Sequence, residues 1–186
     1  MKTIIKNYQI LKVSLITFLI ASSQFIFIFS YDAYSMSFEN KKMAFIHKLS
    51  EIAVRFIGIP YEFGGDLRKS EMVDNSHLFY LIYDEAAKKV GLKWKGYMPM
   101  DGLLKQSIEV QRINLRNGDL VFLNNGHAAM IYKFKDYDNF NLIYASLKRK
   151  QVITFHCKNV GFQIYWLNNL KGYYRPTEIL LEDNNE

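Results

Sequence analysis

The sequence predicts an α+β domain in which N-terminal helices pack on an antiparallel sheet. Two observations carry that expectation. Apolar residues recur at helical spacing as far as Val90, and at alternating spacing, rich in β-branched and aromatic residues, from Leu120 onward. Between the apolar runs 120–123 and 127–132 stands Asn124-Asn125-Gly126, a strong hairpin signal.

Each element follows in order. Met43, Phe45, Ile46, Leu49, Ile52, Ala53 and Phe56 predict a helix over 41–56. Gly58, Pro60, Gly64 and Gly65 end it in a tight loop. Asp74 reads as the N-cap of a second helix from Asn75 to Val90, with Gly91 as its C-terminal glycine. Residues 93–105 read as a loop with Pro99, closing on a short helical turn. Strands are expected over 120–123, 127–132, 142–145, 151–155, 161–166 and 172–176. The tail 182–186 reads as disordered.

The chain has 186 residues, of which 49% are hydrophobic and 23% charged. That supports one compact domain with a real core. The net charge of +6 is scattered, and its densest run is Lys148-Arg149-Lys150. Nucleic-acid binding is therefore not expected, whereas attraction to anionic wall polymers or lipid headgroups fits. The single cysteine, Cys157, excludes an intramolecular disulfide. Its neighbour His156 faces the other side of a strand, so Cys157 reads as a packing residue.

Lys2, Lys6 and Lys12 precede an apolar stretch from Val13 to Phe29. Basic first and apolar next is the secretory pattern. Small-x-small sites end at Ser23 and Ser35, and the second gives a domain from Met36 to residue 181. The other reading of 1–35 is an uncleaved N-terminal membrane anchor. Both readings place the domain outside the cytoplasm: periplasmic, cell-surface or secreted.

Three pieces of chemistry converge. A loop with Gly64 and Gly65 precedes a helix N-terminus at Asp74, Asn75 and Ser76, and a strand begins beside His127. A helix N-terminus stabilises a thiolate or an oxyanion. A histidine on a facing strand serves as general base.

These residues resemble the NlpC-type cell-wall peptidases, a papain-like bacterial superfamily. The family reads G-x-P-Y-x-x-G-G, then D-C-S-G-L, L-x-x-G-D-L-x-x-F, G-H-V-x-I-Y and an H-A-S-like strand. This chain has the first pattern at 58–65, with Tyr61 in it, and the second at 74–78. The third falls at 115–122, the fourth at 126–132 and the fifth at 143–146.

The resemblance implies a papain-like NlpC-type domain acting on amide bonds of peptidoglycan. It puts the nucleophile on Asn75, the base on His127 and the orienting third residue on Tyr144. It places Tyr61, Asp74, Ser76 and His77 in the substrate cleft. His77 stands where the family has glycine. A carboxamide cannot be deprotonated to a nucleophile as a thiol can. The expectation is therefore an inactive homologue, a pseudoenzyme at the cell envelope, binding a peptide, a cell-wall fragment or an envelope protein. The alternative is an active amidase, endopeptidase or acyl transferase with an unusual nucleophile. A third reading is an interaction module whose cleft is closed by larger side chains such as His77.

Ser76 lies one helix position from Asn75, about 100° around the axis, and so points away from His127. His77, Asp74 and His127 do not converge as zinc ligands, because adjacent helix positions diverge. No metal and no cofactor are expected. Asn75 either binds a ligand amide or caps a decayed site. Tyr61, Tyr83, Trp94, Tyr165 and Trp166 either line a groove or fill the core.

Overall fold

A computed structural model describes residues 38–183. Contacts divide the chain at Asn40 and Lys41, and the fold below is that of residues from Lys41 onward. The apolar stretch 13–29 and the tail 184–186 lie outside the described residues. Among the described residues no helix is long and apolar enough to cross a membrane.

The first helix, α1, covers 38–53, and a 3-10 turn, Val54–Phe56, finishes it. A second helix, α2, runs over Asn75–Lys89. Two short elements then occupy the stretch expected to be mostly loop. They are strand β1, Leu92–Trp94, and helix α3, Met100–Lys105. Strand β2, Ser107–Val110, follows. The remaining strands are β3 (Leu120–Leu123), β4 (Ala128–Asp136), β5 (Asn139–Ser146), β6 (Gln151–His156), β7 (Leu170–Pro176) and β8 (Leu181–Asp183).

Six strands form one antiparallel sheet in the order β2-β7-β3-β4-β5-β6. The helices-then-meander expectation is what the chain adopts. One face of the sheet meets the helices through Leu78, Phe79, Ile82 and Tyr83, all fully buried. The other face carries a second apolar layer built from Val121, Ile131, Leu142, Phe162 and Trp166. Burying layers on both faces explains why β3 is apolar at all four positions and does not alternate.

Two expectations are corrected. Residues 161–166 are not a strand: Phe162–Trp166 is a single π-helical turn, closed by the Leu167 N–H donating to the Phe162 carbonyl at 3.0 Å. Its buried pair, Phe162 and Trp166, lies at i and i+4, a helical spacing that the alternation hid. Asn159 holds the start of the turn by accepting the Gly161 N–H at 2.8 Å. The tail is also ordered further than expected, because Glu182 and Asp183 belong to β8. There β8 pairs with β1, and Asp183 is buried against Lys41 Nζ at 2.8 Å.

Gly118 shows why the turn into β3 needs glycine. Its φ is +88°, and a Cβ there would sit 2.5 Å from Leu49 Cδ1 of α1. Next to it Asp119, 1% exposed, takes two hydrogen bonds of 2.8 Å from Arg175 on β7 and one of 2.8 Å from the Arg116 N–H. Tyr83 of α2 donates to the Gly118 carbonyl at 2.6 Å. The turn thereby locks α1, α2 and β7 to one point.

Candidate functional site

The N-terminus of α2 is fixed by the loop before it. The Val73 N–H donates to the Pro60 carbonyl at 3.0 Å, and the Asp74 N–H to the Gly65 carbonyl at 3.1 Å. Gly65 is required there, since a Cβ would lie 2.9 Å from the backbone of Met72 and Val73. Asp74 caps the helix as expected, accepting the His77 N–H at 2.8 Å. Its other oxygen accepts the Gly64 N–H at 3.2 Å. Tyr61 lies across Val73, and burial, then the Asp74 charge, pushes its phenol up.

Asn75 is half-buried at the first helical position. Its Oδ1 accepts the backbone N–H of Ala145 at 2.6 Å. Register shows what this bond replaces. The β4–β5 pairing ends at Met130 and Ile143, so the next hydrogen-bonded rung would be Ala128 with Ala145. On the β6 side, Val152 opposite Ala145 turns its N–H and C=O to Ile59 and Gly58 instead. The Ala145 N–H therefore faces the gap where β4 and β5 part, and the Asn75 carboxamide fills it.

His127 sits at the mouth of that gap, after the turn at Asn125 and Gly126. Its backbone N–H donates to Asn125 Oδ1 at 3.2 Å, and its carbonyl accepts from Leu123 at 2.8 Å. The residue is exposed, and among the described residues its ring makes no hydrogen bond. Tyr144 does not orient it. The Tyr144 ring packs edge-on against Phe155 at 5.6 Å and Trp166 at 5.4 Å, inside the apolar layer. The structure thus gathers the α2 N-terminus, the start of β4 and the end of β5. It does not join Asn75, His127 and Tyr144 into a proton relay.

Ser76 and His77 turn to the other side of the helix start. Ser76 Oγ lies 2.8 Å from Asp74 Oδ1 and 3.1 Å from Tyr97 Oη. The His77 ring stacks on Tyr97 with centroids 4.1 Å apart. Its Nδ1 is 3.0 Å from Asp74 Oδ1, and its Nε2 is 3.8 Å from Asp66 Oδ2. Arg68 grips both Asp66 oxygens, at 2.9 and 2.7 Å, and holds that carboxyl well below the usual carboxylate range. Asp66, Arg68 and Tyr97 are the members that sequence reasoning missed. The pairing of Asp66 with Arg68 two residues on was the one local signal for them.

Phe63 is 89% exposed and covers nothing at Asn75. Tyr83, Trp94 and Trp166 are core, whereas Tyr165 is on the surface. Cys157 is buried and bonded to the backbone of Asp138 and Phe140, as a packing residue would be. Among the described residues no group of three His, Cys, Asp or Glu side chains could hold a metal ion. A groove of about 660 Å³ lies along β2 and β7, on the opposite edge of the sheet from β5 and β6.

No family profile and no curated protein matches the chain. Solved structures do. An NlpC/P60 family protein from Bacillus cereus ATCC 10987 superposes with a TM-score of 0.51 at 20% identity, over 70% of this chain. The domain has the NlpC/P60 fold. The peptidoglycan hydrolase RipB from Mycobacterium tuberculosis gives 0.50 at 16% identity, over 74% of this chain. The P60 domain of an antigen from M. avium subspecies paratuberculosis gives 0.50 at 16% identity, over 73%. The chain spans 40% of the first protein, 66% of RipB and 96% of the P60 domain. Within the NlpC/P60 fold, the site described here is the junction of the second helix with the central strands.

Proposed function

We propose that this chain is a catalytically inactive NlpC/P60-type domain of the cell envelope, exported or tethered, that binds peptides of the cell wall or a partner carrying such a peptide. One observation carries the reading. At the position where the resemblance puts the nucleophile, the side chain is a carboxamide whose oxygen is committed to the Ala145 N–H at 2.6 Å. Such a group has no proton to lose near neutral pH, and its nitrogen lone pair is delocalised into the carbonyl, so it is not a nucleophile. Two further facts agree. The His127 ring lacks an orienting partner among the described residues, and Tyr144 is spent on packing.

Peptide binding is favoured because the rim of the old cleft keeps polar groups in fixed places. Tyr61 and Asp74 are held by the loop, and Gly64 beside them is open to the approach of a backbone, with nothing within 4 Å of where its Cβ would be. The envelope location rests on the secretory pattern of residues 1–35 and on the peptidoglycan hydrolase among the structures of this fold.

Calorimetric titration of the full chain with soluble peptidoglycan peptides tests the proposal. Saturable binding is expected, weakened roughly tenfold in Tyr61→Ala, a loss of about 1.4 kcal/mol. Absence of saturable binding to every peptide and glycopeptide fragment would remove the ligand part of the reading.

A further inference from the structure

The turn between β5 and β6, residues 147–150, carries more charge than its local structure needs. Lys148, Arg149 and Lys150 are all exposed, and among the described residues none forms an ion pair. Leu147 beside them is 55% exposed. Lys150 has a φ of +58°, in the left-handed region that glycine or asparagine enters at lower cost. The turn thus holds a cation where glycine or asparagine would fold more easily.

A second segment lies against this turn. The Tyr61 N–H donates to the Lys150 carbonyl at 2.9 Å, and Pro60 bridges Gln151. Two residues after Tyr61 stands Phe63, the most exposed large apolar residue described. Glu62 is the single carboxylate of that loop tip. The combined surface therefore presents three cations, one anion and two bare apolar side chains at one end of the sheet.

We propose that this surface docks the domain on an anionic lipid bilayer, with Phe63 and Leu147 entering the interface and the three cations pairing with headgroup phosphates. Cations alone would fit any polyanion. Two exposed apolar side chains gain nothing from a hydrated soluble polymer, but they do gain from the headgroup–acyl boundary. Docking there would bring the α2 N-terminus, tied through Asn75 and Ala145 to the end of β5 just before the turn, to the membrane side of the domain. This inference does not depend on what the cleft binds.

The test uses the full chain carrying Gln151→Cys, an exposed position beside the turn, with Cys157→Ala, labelled with a fluorophore. It is reconstituted in vesicles containing doxyl-labelled lipid, since both the docked and undocked domain remain with the vesicle if residues 13–29 tether it. Doxyl quenching then reports the contact of the turn itself. Phosphatidylglycerol in place of phosphatidylcholine should raise the docked-to-undocked ratio on the order of thirtyfold, for a net gain of two cations. Quenching should fall to the phosphatidylcholine level in Lys148→Ser/Arg149→Ser/Lys150→Ser, and fall also in Phe63→Ser. Equal quenching on both lipids, or quenching indifferent to the triple change, would overturn the proposal. So would full loss of quenching on adding soluble polyphosphate combined with no effect of Phe63→Ser, which would assign the surface to a soluble polyanion. All the changed side chains except Cys157 are exposed. Circular dichroism of each variant confirms that the readout concerns docking and not unfolding.

Discussion

Asn75 Oδ1 and the Ala145 N–H stand 2.6 Å apart, at the point where β4 and β5 separate. A side chain on the first turn of a helix thereby completes a sheet ladder that its own strand has abandoned. The bond ties α2 to β5 where, in the resemblance, a nucleophile would face its base.

Asn75→Ala should destabilise the domain by about 1–3 kcal/mol, because the Ala145 N–H loses its acceptor while partly buried. Asn75→Asp keeps an acceptor and should cost less. Chemical denaturation gives both values, and hydrogen exchange should show the Ala145 amide losing protection in the alanine variant first.

The Asp119–Arg175 pair should prove costly to break. Asp119 is almost fully buried, and among the described residues Arg175 is the one cation whose side chain hydrogen-bonds to it. Arg175→Ala should lower stability by roughly 3–5 kcal/mol, the penalty for an uncompensated buried charge. Replacing both residues by apolar ones of similar size should cost distinctly less. A denaturation series over the two singles and the double checks this.

The motif residues of this turn were legible in the sequence, because Gly118 and Asp119 sit in a recognisable pattern and alternation marks the strands after it. The reason for each was not legible. That Gly118 must leave space for Leu49, or that Arg175 closes on Asp119 from 56 residues away, depends on tertiary contact. The same limit applies to the site. Asn75, His127 and Tyr144 were placed by motif, whereas the stacking of His77 on Tyr97 and the clamp of Arg68 on Asp66 were not. The π-helical turn at 162–166 misled because Phe162 and Trp166 satisfy both periods.

Gly118→Ala should cost on the order of 2–4 kcal/mol, combining left-handed backbone strain with overpacking against Leu49. Adding Leu49→Ala should return only the packing share relative to Leu49→Ala alone. Thermal unfolding of the two singles and the double separates the two terms.

Acid should act through Asp66. Arg68 holds the Asp66 carboxyl below its ordinary value in the folded state. In the unfolded chain it titrates near the usual aspartate value of about 4. The folded state therefore binds fewer protons between those values. The stabilisation is complete above about pH 4 and is lost as pH falls through the lower folded value. Asp66→Asn should flatten the fall in stability below about pH 4, measured as denaturation midpoints between about pH 6 and pH 2.

The central claim is that Asn75 serves the fold and not a reaction. Its most direct test is digestion of isolated peptidoglycan by the full chain, beside an active hydrolase of this fold as control, with released fragments read by mass spectrometry. The account predicts no fragments above the buffer blank from this chain under conditions in which the control releases them. Release of defined peptide fragments by the parent protein, abolished by His127→Ala, would contradict it.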